Sequence, residues 1–141
     1  MIKDNIIIEK KWQEENLIEL KIIANSEYVS AYQSCYIQED NLITISKKII
    51  EFTYNYKKKC YVEFGKKEGN YTPAFSMCFL PADLHGNVKI ELDLEISDNN
   101  TRSHRCCFYV NSELGLVEKF GKGLLEIIKE KEGIKITLSN T

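Results

Sequence analysis

From Val88 to Ile96 every even-numbered position is apolar (Val88, Ile90, Leu92, Leu94, Ile96), while Lys89, Glu91, Asp93 and Glu95 fill the odd ones. Successive side chains of a strand point to opposite faces, so this stretch predicts a β-strand with one face in the core and one in water. The next segment alternates less strictly, with His104, Cys106, Phe108 and Val110 on one side and Arg105, Cys107 and Tyr109 on the other. Placing Leu92 and Phe108 in the same core fixes the parity of pairing, because a slip of one residue would turn the whole apolar set outward. The simplest hairpin then sets Leu94 opposite Cys106, Leu92 opposite Phe108 and Ile90 opposite Val110, with a connection of about three to five residues around Asn100. On its wet face Glu95 faces Arg105, Asp93 faces Cys107 and Glu91 faces Tyr109. The Glu95 and Arg105 pair favours this register by roughly 0.2 to 1 kcal/mol.

Elsewhere the apolar runs are short and rich in β-branched and aromatic residues. They predict strands at roughly 5 to 10, 16 to 24, 28 to 37, 59 to 65, 74 to 80, 87 to 97, 103 to 110 and 133 to 138. Gly69-Asn70, Pro81, His85-Gly86-Asn87 and Asp98-Asn99-Asn100 read as loops between them. Helical spacing occurs twice. Leu42, Ile45, Ile49 and Phe52 follow Asp40, a suitable N-cap. Val117, Phe120, Leu124 and Ile127 form a second stripe, beginning near Ser112 and Glu113 and ending before Gly133. Gly115, Gly121 and Gly123 lie within this second helix, where each costs about 1 kcal/mol relative to Ala and allows close approach to the sheet. The expected fold is α+β: a mainly antiparallel, twisted β-sheet with two helices, the second near the C-terminus. The 141 residues, 43% of them hydrophobic, suit a single domain over 1–141.

Ile6-Ile7-Ile8 is too short an apolar run for a signal peptide or a membrane span, so a cytoplasmic location is expected. The formal charge of -2 carries no overall attraction to nucleic acid or to an anionic membrane. Its distribution is uneven. Seven lysines lie between Lys47 and Lys67 against Glu51 and Glu63, whereas five acids lie between Asp83 and Asp98 against Lys89. Lys57-Lys58-Lys59 reads as a solvated strand entrance.

Chemistry is sparse. Cys35, Cys60, Cys78, Cys106 and Cys107 are odd in number and contain no C-x-x-C pair, which argues for reduced thiols packed as small hydrophobes. The only histidines are His85, in a turn-like context, and His104, which shares a strand face with Cys106. A nucleophilic Cys-His pair would need an activated thiolate and a pocket, and the sequence shows neither. Zinc-ligand spacing, phosphate-binding glycine loops and the nucleophile elbow are absent, and Glu91, Asp93 and Glu95 project from one strand where a glycosidase would flank a cleft with its carboxylates. No catalytic residue, metal or cofactor is expected, and the chain reads as a binding protein. Tyr28, Tyr32 and Tyr36 suit strand packing with hydroxyls in water, the stacking of bases, or the wall of a ligand pocket.

The surface that remains is the wet face of the hairpin, Glu91, Asp93, Glu95, Arg105 and Tyr109, an acidic strip with an aromatic beside it. Complementary charge speeds encounter and Tyr often anchors interfaces, so this strip suits a basic protein partner. Asp83-Leu84-His85-Gly86-Asn87, the alternating strand, Phe108-Tyr109-Val110-Asn111-Ser112-Glu113-Leu114-Gly115 and Phe120-Gly121 together resemble small immunity proteins of bacterial polymorphic toxin systems, of the WapI type. The resemblance covers roughly the final third to half of the chain and transfers no functional residue position by position. It implies a cytosolic antidote that binds the cognate C-terminal domain of a contact-delivered toxin, often a nuclease, with no direct contact to nucleic acid or membrane. The other reading is a cytosolic small-molecule or carbohydrate-binding module, which requires a concave, tyrosine-lined pocket.

Overall fold

The computed structural model describes residues 4–65, 74–99 and 102–140. Its strands are β1 (Asn5–Glu14), β2 (Leu17–Asn25), β3 (Ser30–Gln38), β4 (Cys60–Phe64), β5 (Ala74–Phe79), β6 (Asn87–Asn99), β7 (Arg102–Glu113) and β8 (Lys135–Ser139). Helix α1 (Glu39–Tyr54) follows β3, and α2 (Leu114–Lys129) follows β7. The α+β class and the late second helix are as the periodicity predicts. The strands divide into two antiparallel four-stranded sheets, ordered β3-β2-β1-β8 and β4-β5-β6-β7.

Alternation places Ile6, Ile8, Ile18, Leu20, Ile22 and Leu138 on the inner face of the first sheet, and Val62, Phe75, Met77, Ile90, Leu92 and Phe108 on that of the second, all in one core with both helices. Burying each such side chain contributes about 1.5–3 kcal/mol. Helix α1 buries Leu42, Ile45, Ile49 and Phe52, and α2 buries Val117, Phe120, Leu124 and Ile127, the two predicted stripes.

The helices meet at Gly121. A Cβ there would lie 2.9 Å from Ile50 Cγ1 and 3.1 Å from Ile49 Cγ2, and the Ser46 hydroxyl donates to the Gly121 carbonyl at 2.6 Å. Close approach is therefore to α1 at Gly121. At Gly123 it is to the first sheet, through Ile136, whose Cγ2 would lie 3.0 Å from an added Cβ. Nothing lies within 4 Å of a Cβ at Gly115.

Two boundaries differ from expectation. Helix α1 starts at Glu39 with extended Gln38 as its N-cap, and Asp40 lies in the first turn. The Glu39 N–H donates instead to the Asn16 carbonyl at 2.8 Å, so a tertiary contact supplies what a capping side chain would. Ser112 and Glu113, expected near the start of α2, are the last two residues of β7. A register shift between Lys10 and Trp12 lets β1 continue to Glu14 past the end of its apolar alternation and sets Trp12 opposite Glu19.

The register of the β6–β7 hairpin is the predicted one in all six pairs, Leu94↔Cys106, Leu92↔Phe108, Ile90↔Val110, Glu95↔Arg105, Asp93↔Cys107 and Glu91↔Tyr109. Pairing continues through an irregularity to Asn99↔Arg102, so Asp98 and Asn99 are strand and the connection is shorter than expected. Asn100 and the Gly69-Asn70 loop lie outside the described residues. The His85-Gly86-Asn87 turn is present. The Asp83 carboxylate accepts from Asn87 Nδ2 at 3.0 Å and from the N–H groups of Asn87 and His85 at 2.8 and 2.9 Å, while Gly86 takes φ +83°. That conformation favours glycine.

Polar ties join the layers. Lys10 is buried, and its ammonium donates to the carbonyls of Ile127, Ile128 and Glu130 at 3.1, 3.3 and 2.8 Å. Those carbonyls end α2 without helical partners, and a cation is favoured at that end of the helix. Gln33 of β3 donates to the Glu95 carbonyl of β6 at 3.0 Å, and Ser112 of β7 to the Ser139 carbonyl of β8 at 2.7 Å.

Candidate functional site

The pairing of β4, β5, β6 and β7 lines up the outward residues of the second sheet in rows. Tyr61, Cys78, Glu91 and Tyr109 form one row, and Glu63, Ser76, Asp93 and Cys107 the next. Glu95 and Arg105 follow. All five strip residues predicted from sequence thus share one face. Structure adds Tyr61 and Glu63 from β4. The alternation of Tyr61 and Glu63 with buried Val62 and Phe64 carried that signal, but only pairing through β5 shows that the two strands lie on the same surface.

The strip's charges are organised differently from the simple cross-strand picture. Arg105 forms its ion pair with Asp93, diagonally across the pair, through Nε to Oδ1 at 3.1 Å and Nη2 to Oδ2 at 2.6 Å. Diagonal neighbours are within reach of a long side chain. Asp93 is only 7% exposed, so its charge needs a partner more than the half-buried Glu95 directly opposite Arg105. The hydrogen bond and charge of Asp93 raise the guanidinium pKa, with Glu95 a lesser contributor. Asp93 is thereby a structural acid, and the more accessible carboxylates of this face are Glu63, Glu91 and Glu95.

Two exposed tyrosines flank them. Tyr109 donates to Glu91 Oε2 at 2.8 Å and Tyr61 to Glu63 Oε1 at 2.7 Å. The hydrogen bond to Glu91, then its charge, pushes the Tyr109 phenol upward, so the hydroxyl remains a donor at neutral pH. Lys89 Nζ lies 5.9 Å from the centre of the Tyr109 ring. Each phenol bonded to a carboxylate is held in one orientation, an arrangement that lowers the entropy lost when such a side chain is immobilised at an interface.

Four thiols, those of Cys35, Cys60, Cys78 and Cys107, have environments that hold them protonated. Burial, then Glu19, pushes Cys35 up to about 12; burial leads the upward shifts of Cys60, Cys78 and Cys107, with Asp93 and Glu91 next for Cys107. Cys107 is exposed, contrary to the expectation that the cysteines pack as small hydrophobes, because it falls on the outward parity of β7. His104 is exposed at one end of β7 and Cys106 half-buried two residues on. Among the described residues no three or more His, Cys, Asp or Glu side chains cluster as metal ligands would. No helix among them is long and apolar enough to cross a membrane.

A second feature adjoins this face. A cleft of about 570 Å³ is lined by Leu17 of β2, Tyr36, Ile37 and Gln38 of β3, Asn41, Thr44, Ile45 and Lys48 of α1, Tyr61, Val62 and Glu63 of β4, and Gly65. Tyr36 reaches this cleft, whereas Tyr28 and Tyr32 stand exposed away from its lining. Sequence reasoning missed the cleft because its walls come from four elements that only the tertiary fold brings together.

Compared with known proteins, the chain matches no family model, no curated protein and no solved structure.

Proposed function

We propose that this protein is an immunity protein, which neutralises a cognate toxin domain by docking the outer face of its second sheet on a basic surface of that domain. The observation that carries the reading is the charge of that face. Glu63, Glu91, Asp93 and Glu95 gather there from two strands against Lys59, Lys89 and Arg105, and Arg105 is already engaged by Asp93. A surface that must bind polyanionic substrates is basic, and an acidic sheet flanked by oriented tyrosines complements it. The reading assigns the protein no chemistry of its own and places it in the cytoplasm, where such a toxin acts.

The test is binding to the C-terminal domain of a large secreted protein encoded beside this gene. Glu91→Lys combined with Glu95→Lys spares the buried Asp93 and Arg105 pair. It is expected to weaken the complex by at least about tenfold, ~1.4 kcal/mol, and to reduce its sensitivity to salt. A normally folded double variant that binds as tightly as the parent refutes docking through this face.

A further inference from the structure

Consecutive residues of a strand point to opposite faces. Tyr61, Val62 and Glu63 therefore line one cleft only where it runs along the edge of β4, and Tyr36, Ile37 and Gln38 only where it runs along the edge of β3. Both are terminal strands of their sheets. A terminal strand presents a row of backbone N–H and C=O groups to whatever lies beside it. Between the two edges, Asn41, Thr44, Ile45 and Lys48 recur at three- and four-residue steps, so one stripe of α1 makes the floor.

We propose that this cleft binds an extended peptide segment of the protein partner, added as a further strand on the outer edge of β4, which pairs with no other strand among the described residues. The inference rests on the reading that the second sheet docks a protein, and it deepens that reading by naming the element the partner offers. Tyr61 and Glu63 belong both to the acidic face and to the cleft wall, so a partner seated on the face is led directly to the edge. A cleft bounded by strand edges is matched by a ligand with its own alternating amides, whereas a sugar would leave those amides unused. The volume of about 570 Å³ is that of a short segment. Leu17 and the rings of Tyr36 and Tyr61 give it apolar surface, and Lys48 and Glu63 supply opposite charges, so the fitting strand carries an apolar side chain flanked by an acidic and a basic one.

A phage-displayed library of random peptides of about nine residues, longer than the edge of β4, is panned against the intact protein, and recovered sequences are synthesised and measured by fluorescence polarisation. Binding is expected to fall more than tenfold with Thr44→Arg, which fills the cleft from an exposed position of α1. Glu91→Lys with Glu95→Lys is expected to leave it within twofold. Peptides N-methylated at alternate residues should lose binding in one phase of the alternation and retain it in the other, as a strand paired on one side must. Recovery of no peptide sensitive to Thr44→Arg overturns the proposal, and so does indifference to N-methylation in both phases. Thr44→Arg-sensitive binding of neutral oligosaccharides in place of peptides also overturns it, assigning the cleft to sugars. Toxin binding that survives while peptide binding fails removes only the cleft. Toxin binding that is absent while peptides still bind removes only the immunity reading.

Discussion

The two sheets are built by the same alternation but differ in where they bury polar side chains. The first sheet places Lys10 and Gln33 on its inner face, whereas the second carries buried Ser76 and Asp93 on its outer face and Ser112 on its inner one. Each inward polar group of the first sheet completes an element distant in sequence: Lys10 the carbonyl end of α2, Gln33 the backbone of β6. The outward acid of the second sheet is completed by its hairpin neighbour Arg105. An inward polar residue thus marks long-range closure in both sheets, Ser112 reaching the Ser139 carbonyl of β8, whereas the outward acid of the second sheet is neutralised within its own hairpin.

The largest break in that comparison is expected at Lys10. Lys10→Met keeps most of the volume but leaves the Ile127 carbonyl buried without a donor and those of Ile128 and Glu130 to water, at a cost of about 1–3 kcal/mol. Urea denaturation followed by circular dichroism should show the loss, and an unchanged midpoint would mean that water replaces the ammonium. Gln33→Met should cost less than about 1 kcal/mol. It removes the bond to Glu95 but also removes Gln33 Oε1, which is buried without a hydrogen-bond partner. A larger loss would show that Gln33 is what holds the two sheets in register with each other.

How much of this was legible in the sequence follows the same division. The β6–β7 register could be read because strict alternation and a short connection leave one parity, and everything needed lies within a single stretch of chain. The partner of Arg105 could not, because choosing between Glu95 opposite and Asp93 on the diagonal depends on which carboxylate is buried, and β5 covers Asp93 from the other side. The pairing of β1 with β8 and the division into two sheets are likewise decided by contacts between remote segments. Asp40 had the chemistry of an N-cap, but a backbone bond from Glu39 to Asn16 started the helix earlier. The face of the candidate site was visible from β6 and β7; its β4 margin and the cleft were not.

The thiols sharpen the comparison kinetically. Cys35 faces the core from the first sheet, with its thiol pushed up to about 12 by burial, while Cys107 is exposed on the second. Maleimide at neutral pH should modify Cys107 in the native state and Cys35 only at the rate of unfolding, as mass spectrometry of quenched samples would resolve. Equal rates would place Cys35 in a region that opens locally.

The smallest effect is expected at the turn entering β6. The side-chain bond from Asn87, then its backbone N–H, lowers the Asp83 pKa. A carboxyl held below its unfolded value contributes stability that is present above the ordinary Asp range, near 4, and is lost as pH falls through the folded value. Asp83→Ala should therefore lower the melting temperature slightly at neutral pH and leave it nearly unchanged below the folded pKa, which flattens the acid limb. An identical acid limb would show that the turn stands on Gly86 alone.

The pairing of β1 with β8 also orders events in time. On a ribosome, all four strands of the second sheet, Cys60–Phe64 through Arg102–Glu113, emerge before Lys135–Ser139 does. The acidic face can thus form while β1 still has a bare edge. The ammonium of Lys10 meanwhile waits for carbonyls more than a hundred residues downstream. Long-range closure of this kind slows folding, so the nascent chain is exposed to unwanted strand pairing at β1 until its last strand arrives, and a chaperone that shields that edge would have its greatest effect in this interval.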